Sequence, residues 1–320
     1  MALQGGIDLG GTKIQAAIVD EEHSVLGSAR RATPTTGGPA DVALEMEAAL
    51  RDAAKAAEME PATLAGVGVG SPGTIDADAG TVSSARNLPG WEGAFPLAAT
   101  LERALGCEVR VGNDVQVATD AEFKLGAGRL YRSLLGVFWG TGVGSGLILD
   151  GRAWTGLGAA GEIGHMVVKM NGARCTCGRR GCMEAYAGRA SMERHVRKLQ
   201  EEGHETQLFK LMEEHGRTRL TSGIWARAIE HKDKVAIEVL DRAIRALGAG
   251  IASASNLLDV EGVIIGGGLG VRLGHPYAQR IADEMLPHLF ADWRPPHVHV
   301  AALGDLGGAI GAALLLRAEA

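Results

Sequence analysis

Ile7-Asp8-Leu9-Gly10-Gly11-Thr12-Lys13, running on through Ala16-Ala17-Ile18-Val19-Asp20, reads as an apolar strand, a tight Gly/Thr turn and a second apolar strand. The same order returns 130 residues later in Val137-Phe138-Trp139-Gly140-Thr141-Gly142-Val143-Gly144, followed by Gly146-Leu147-Ile148-Leu149-Asp150. In both copies an Asp follows ten residues after the first glycine of the turn. Glycine lets a backbone approach a ligand closely and can turn several N–H groups inward, as an anionic phosphate requires. A third glycine run, Gly266-Gly267-Gly268, ends the apolar strand Val260-Glu261-Gly262-Val263-Ile264-Ile265. A single Gly-x-Gly turn is a weak signal, since any hairpin of an α/β protein can carry one. Two matched turns and a third predict two similar half-domains holding a nucleotide's polyphosphate tail. A dinucleotide fold fits less well, because its Gly-x-Gly-x-x-Gly opens a helix directly, whereas both turns here lead into alternating, strand-like residues.

The elements around the first turn follow one plan. Residues 5–20 read as a hairpin and 23–31 as a third, more polar strand. Residues 41–59 are helical, with Val42, Met46, Ala49, Leu50, Ala53 and Ala57 at three- to four-residue spacing and Pro61 beyond the end. Gly66-Val67-Gly68-Val69-Gly70 is a buried strand stopped by Ser71-Pro72-Gly73. A helix over 97–105, a strand Glu108-Val109-Arg110-Val111 ending at Gly112-Asn113-Asp114, and a helix over about 115–125 complete the half. Three strands, helix, strand, helix and strand is the order of a ribonuclease-H-like half-domain. From residue 133 a looser version of the plan follows, with a cysteine-rich insertion at 171–183 and a polar helical stretch at 189–240. A long helix over about 233–256 and a last Gly/Ala-rich helix over about 305–318 finish the chain.

At 320 residues the chain is long enough for two domains with separate cores. Apart from its 47 glycines the composition is that of a globular protein, with 46 % apolar and 22 % charged residues. A net charge of −6 and the lack of a basic run argue against a nucleic-acid surface. No run approaches the roughly 20 apolar residues of a membrane span, and the first residues lack an export signal, so the expected location is cytoplasmic.

Asp114 ends a strand where the chain turns into a helix. A carboxylate there can accept a proton from a substrate hydroxyl, with Asn113 beside it for neighbouring hydroxyls, or can simply cap the helix. Glu162 in Gly161-Glu162-Ile163-Gly164-His165 and Glu184 in Gly181-Cys182-Met183-Glu184-Ala185-Tyr186 lie among small residues close to a cysteine cluster. That cluster is Cys175-x-Cys177-x4-Cys182, with His165 ten residues upstream. Three thiols and an imidazole form a closed set for structural Zn²⁺, a better match than a disulfide framework. An iron–sulfur centre would want a fourth thiolate, and Cys107 is distant in sequence.

Together these residues resemble the ROK family of sugar kinases and transcriptional repressors. The matches are Asp8-Leu9-Gly10-Gly11-Thr12-Lys13, Gly70-Ser71-Pro72-Gly73, Asn87-Leu88-Pro89-Gly90-Trp91, Asn113-Asp114 and Gly140-Thr141-Gly142-Val143-Gly144. Gly161-Glu162-Ile163-Gly164-His165, the cysteine cluster with Glu184-Ala185-Tyr186, and Gly266-Gly267-Gly268-Leu269 continue them in family order over nearly the whole chain. Asn87-Leu88-Pro89-Gly90-Trp91 is most similar to the bacterial glucokinase branch.

The resemblance implies two actin-like ATPase (ribonuclease-H-like) α/β domains closing on an interdomain cleft, expected to divide as 1–115 with 305–320, and 116–304. It implies an ATP-dependent hexokinase, glucose being the expected acceptor, in which Asp114 takes the proton of the 6-hydroxyl as that oxygen attacks the γ-phosphate. Gly73, Asn87, Asn113, Glu162, His165 and Glu184 would bind the remaining hydroxyls. Asp8, Gly10, Gly11, Thr12 and Lys13 with Gly140, Thr141 and Gly142 would hold the phosphates and their Mg²⁺, and Gly267, Gly268 and Leu269 the adenosine. His165, Cys175, Cys177 and Cys182 would hold structural Zn²⁺, His165 also facing the sugar. A homodimer or homotetramer is expected, without nucleic acid or membrane as partner.

Two places depart from the family pattern. Val115-Gln116-Val117 stands where small residues and Asn are usual, and Phe138-Trp139 is bulkier than usual beside the expected donor site, which makes polyphosphate a donor to test. A kinase for an N-acetylated amino sugar or for fructose would use the same hydroxyl-binding set. A sugar-responsive repressor of the family is disfavoured, because Asp8 arrives after seven residues with no DNA-binding segment ahead of it.

Overall fold

The computed structural model describes residues 2–85 and 88–316. The first strands are β1 (Gln4–Leu9), β2 (Lys13–Val19) and β3 (Val25–Ala32), followed by helix α1 (Pro39–Ala56). Pro39 presets the first helical residue, and the Asp41 carboxylate accepts from the Gly38 N–H at 2.8 Å. The α1 stripe Val42, Met46, Ala49, Leu50 and Ala53 is fully buried against the sheet, as its spacing required. Then come β4 (Gly66–Ser71), the small hairpin β5 (Thr74–Asp76) and β6 (Thr81–Ser83), α2 (Leu97–Leu105), β7 (Val109–Asn113) and α3 (Asp114–Lys124). The sheet order is β3-β2-β1-β4-β7, antiparallel across the first three strands and parallel across the last.

The second half repeats this order. Strands β8 (Leu134–Trp139), β9 (Val143–Leu149) and β10 (Arg152–Ala153) form its antiparallel part. Helices α4 (Glu184–Ala187), α5 (Arg189–Glu201), α6 (Leu208–Glu214), α7 (Ser222–Glu230) and α8 (Lys234–Leu258) precede β11 (Gly262–Gly266). The chain then runs through α9 (Gly267–Leu273), α10 (His275–Met285), β12 (His297–Val300) and α11 (Gly307–Ala313). Its sheet order, β10-β9-β8-β11-β12, is the first sheet's order with the same senses. The expected ribonuclease-H-like repeat is therefore present in register, and each sheet has its own apolar core.

Several boundaries differ from expectation. The 189–240 stretch divides into three helices, α5 to α7, and the last helix is shorter, 307–313 between two 3₁₀ turns. Strand β12, helix α10 and the β5–β6 hairpin were not predicted: His297-Val298-His299-Val300 is too short and polar to announce a strand, and becomes one by pairing with β11.

Helix α3 packs on both sheets and against α11. Close approach, rather than a large apolar face, makes these contacts. A Cβ on Gly311 would stand 2.0 Å from the Val117 carbonyl oxygen, and one on Gly146 would stand 2.3 Å from Thr119 Oγ1. Gln116, the residue that departs from the family pattern, spans the two halves. Its side-chain amide accepts from the Leu147 N–H at 3.1 Å and donates to the Leu147 carbonyl at 3.2 Å, as a neighbouring strand would. Among the described residues no helix is long and apolar enough to cross a membrane.

Candidate active site at the carboxyl ends of the parallel strands

The two matched turns lie at the carboxyl ends of β1 and β8, and in each the backbone carbonyls are tied back. In the first, Gly10 N–H closes the turn onto Lys13 O at 2.9 Å. The Gly10 carbonyl accepts from the Thr33 hydroxyl at 2.7 Å and the Thr12 carbonyl from the Thr33 N–H at 3.4 Å. In the second, Gly140 N–H closes onto Gly142 O at 3.0 Å, and the Gly140 and Thr141 carbonyls accept from the first two amides of α5, Arg189 and Ala190, at 3.1 and 3.0 Å. The N–H groups of Gly11, Thr12, Thr141 and Gly142 make no hydrogen bond among the described residues. Each turn thus keeps unbonded N–H donors while the Gly10, Thr12, Gly140 and Thr141 carbonyls are engaged, the chemistry that suits an anion.

Asp114 stands at the end of β7. Asn113, not Asp114, caps α3: its side-chain oxygen accepts from the Gln116 N–H at 3.1 Å. Asp114 Oδ1 accepts from the Val115 N–H at 2.9 Å, and its second oxygen is free of that task. Gly70 brings β4 against it, since a Cβ there would lie 3.4 Å from the Asp114 Cα. Burial pushes the Asp114 carboxyl up from 3.8 to about 7, and the Asp8 and Glu162 charges add to the rise. Asp8, two strands away from β7, is raised to about 6 by burial, with Lys13 opposing and Asp305 reinforcing the shift. Lys13 Nζ itself lies 3.4 Å from Asp305 Oδ1 in the C-terminal segment. Asp8 and Asp114 are thus two carboxyls that burial shifts toward neutrality, the environment in which a carboxylate can take up a proton.

The segment 161–165 lies flat on β9 because its glycines allow it: a Cβ on Gly164 would stand 2.1 Å from the Val143 carbonyl oxygen. This carries Glu162 and His165 up to the second turn. His165 Nε2 faces Glu162 Oε2 at 3.8 Å and its Nδ1 faces Cys175 Sγ at 3.8 Å. The ligand atoms of His165, Cys175, Cys177 and Cys182 all lie within 4.8 Å of one another, with Cys177 and Cys182 sulfurs 3.7 Å apart. A tetrahedral metal with sulfur arms of about 2.3 Å puts two sulfurs about 3.8 Å apart, so the four residues fit such an ion. Burial drives the Cys182 thiol up to about 12, so a thiolate there requires a neighbouring cation.

Glu184 links this cluster to the second turn. Its Oε2 accepts from the Val143 N–H at 3.1 Å, and its Oε1 accepts from the Thr176 hydroxyl at 3.2 Å. Gly142 leaves room for that carboxylate, because a Cβ would lie 2.3 Å from Glu184 Oε2.

Gly73 (φ +99°) needs glycine, its Cβ position being 2.6 Å from the Ser83 carbonyl oxygen. Gly267 (φ +77°) lies over the backbone of Trp139, and Gly268 is exposed beside the second turn. The Leu269 side chain is fully buried in the core, so only its backbone can face a nucleotide. Trp139 likewise does not shape the donor site: its ring is fully buried and its Nε1 donates to the Ala187 carbonyl at 2.7 Å, an inward direction set by strand alternation. Asn87 lies outside the described residues. Thr33 and Arg189 were missed in the sequence; each meets its partner only through the fold, with no short-range spacing to mark it.

Residues 4–319 match the family model described as "ROK family". The chain belongs to the ROK family. As a ROK protein it has the two-lobed actin-like fold, and its relatives match it end to end. A glucokinase of Thermotoga maritima is 31 % identical over 316 residues, 98 % of this chain and 96 % of its own length. An N-acetyl-D-glucosamine kinase of Yersinia pseudotuberculosis is 32 % identical over 330 residues, 98 % and 99 % of the two chains. The crystal structure of a ROK family glucokinase from Streptomyces griseus, in complex with glucose and AMPPNP, superposes with a TM-score of 0.85 at 31 % identity, covering 98 % of this chain and 99 % of that one.

Proposed function

We propose that this protein is an ATP-dependent sugar kinase that phosphorylates the 6-hydroxyl of a hexose, glucose in the first place. The observation that carries the reading is Asp114: a carboxyl raised to about 7 at the end of β7, in the same molecule as two glycine turns with unbonded N–H donors. The relatives' names and the glucose and AMPPNP complex of the Streptomyces griseus enzyme support the same reading.

Phosphoryl transfer needs positioning, charge neutralisation and a group to receive one proton. The N–H groups of Gly11, Thr12, Thr141 and Gly142 grip the donor's phosphate oxygens from both sides, with Lys13 beside the first turn. Gly267 and Gly268 line the adenosine, with Leu269 contributing its backbone. Gly73, Asn87, Asn113, Glu162, His165 and Glu184 hold the sugar so that its primary hydroxyl meets the Asp114 carboxylate. The hydroxyl oxygen attacks the γ-phosphorus, its proton passes to Asp114, and the bond from phosphorus to the ADP oxygen breaks. Asp8 would hold Mg²⁺ or its waters, and that ion would supply charge neutralisation on the phosphates. His165, Cys175, Cys177 and Cys182 would hold Zn²⁺, which would order the 162–186 segment and fix the orientation of the His165 ring toward the sugar. The two catalytic lobes comprise 1–115 with 305–320, and 116–304.

A coupled assay with ATP over glucose, mannose, fructose, N-acetylglucosamine and N-acetylmannosamine tests this, with polyphosphate replacing ATP in a parallel series. Glucose is expected to give the highest kcat/KM. The Yersinia pseudotuberculosis relative, as similar as the glucokinases, is the reason to include acetylated sugars; turnover confined to them would replace the glucose assignment. No turnover of any sugar with either donor would end the kinase reading.

A further inference from the structure

A charged side chain sits on the second glycine turn without a part in the roles above. Arg189 opens α5, donates its backbone N–H to the Gly140 carbonyl, and sends Nη2 to Thr141 Oγ1 and Nη1 to Ser222 Oγ, each at 3.0 Å. Ser222 opens α7 on the far side, and its Oγ lies 3.5 Å from where a Cβ on Gly268 would stand. The guanidinium therefore spans from the second turn to the third glycine run, along the path between the phosphate and adenosine positions.

Its partners orient it without neutralising it. Both are neutral hydroxyls, and among the described residues no carboxylate pairs with it. Glu193, whose charge it feels, is committed to Arg197 Nη2 at 2.6 Å and to the Leu220 N–H at 3.0 Å. Burial depresses the Arg189 pKa and Arg219 adds repulsion; a guanidinium titrates so high that it stays charged regardless. A half-buried cation lacking a counter-ion is unfavourable, and the group that relieves it is an anion. Of the five N–H donors of a guanidinium, two are used, leaving three beside the unbonded amides of Thr141 and Gly142.

We propose that Arg189 is a donor-phosphate ligand, held by Thr141 and Ser222 so that its remaining N–H groups pair with the phosphate chain between the 140–142 turn and Gly267-Gly268. The proposal rests on the kinase reading and deepens it. The turns offer backbone partial charges, whereas Arg189 adds a full positive charge in a planar fork that matches phosphate oxygens. The role belongs to donor binding, and the sugar is untouched by it.

The test is calorimetric binding of ATP, inorganic tripolyphosphate and adenosine to the full-length protein, wild type and R189K, R189M and S222A. R189M is expected to weaken ATP and tripolyphosphate by about 10- to 100-fold, the worth of a charged hydrogen-bonded contact, and to leave adenosine unchanged. R189K should fall between, and S222A, which keeps the charge, should lose less than R189M. Equal weakening of adenosine, a loss in S222A as large as in R189M, or ATP affinity intact in R189M and R189K would each overturn the assignment. If R189M fails to fold, R189K and S222A carry the comparison. A wild type that binds tripolyphosphate through Arg189 yet phosphorylates no sugar would remove the kinase reading alone; an active wild type with donor affinity indifferent to Arg189 would remove this inference alone.

Discussion

Asp114 shows at the scale of one residue how position in the fold sets chemistry. An aspartate before a helix is commonly its cap, but Asn113 takes that work here, and Asp114 accepts only from the neighbouring backbone. Its ionisation near 7 predicts the pH profile. The base form accumulates above that value, so kcat/KM should rise to a plateau from an acid limb near pH 7, and a plateau extending down to pH 5 would contradict the assignment. Asp114→Asn should lower kcat by about 10²–10⁴ while sugar binding, followed by fluorescence or calorimetry, changes little. The same raised pKa destabilises the fold. Between 3.8, the ordinary value, and about 7 the folded state binds more protons than the unfolded one, so stability falls as pH rises. Asp114→Asn should therefore melt above wild type at pH 8, the advantage vanishing below about pH 4, as thermal melts across that range would reveal.

At the scale of the element, the glycine turns work because something else holds their carbonyls: Thr33 for one, the start of α5 for the other. The second turn is also braced by Glu184, which touches both Val143 and Thr176 of the cysteine loop. Gly142→Ala would push a Cβ to 2.3 Å from Glu184 Oε2 and displace that brace. We expect a stability loss of about 1–3 kcal/mol in urea unfolding, together with weaker ATP binding. The cysteine loop packs Cys175, Cys182 and Met183 against the core of the second half, and the proposed metal would tie its ends together. Cys177→Ser should abolish stoichiometric zinc in metal analysis, and a chelator should lower the melting temperature of wild type but not of the variant. A wild type that is metal-free and unaffected by chelator would remove the metal site.

At the scale of the whole molecule, two repeated sheets are joined through α3, which carries Asp114 and packs against α11 and both sheets. Gly311→Ala would place a Cβ 2.0 Å from the Val117 carbonyl oxygen, a backbone atom that cannot swing aside. Destabilisation of about 1–3 kcal/mol is expected, with kcat falling more than sugar affinity because the helix bearing the base must shift. Unchanged melting temperature and kcat would show that this crossing does not position the base. The repeated plan was legible beforehand because it is written in local signals: apolar runs, glycine turns and helix periodicity at matching spacing. Strand β12 was not, since His297-Val298-His299-Val300 becomes a strand only through a partner 35 residues earlier, Gly262 facing His297.

The amino-acid sequence alone determined the repeated hairpins, the cysteine-histidine set and the carboxylate at the end of β7, because each is specified by residues near one another along the chain. Only the tertiary structure decided which of these groups are free to act. That Thr33 and α5 turn the carbonyls away, and that Arg189 lies uncompensated across the second turn and the third glycine run, depend on contacts between distant segments. Burial and unsatisfied charge are properties of the packed molecule, and no local pattern encodes them.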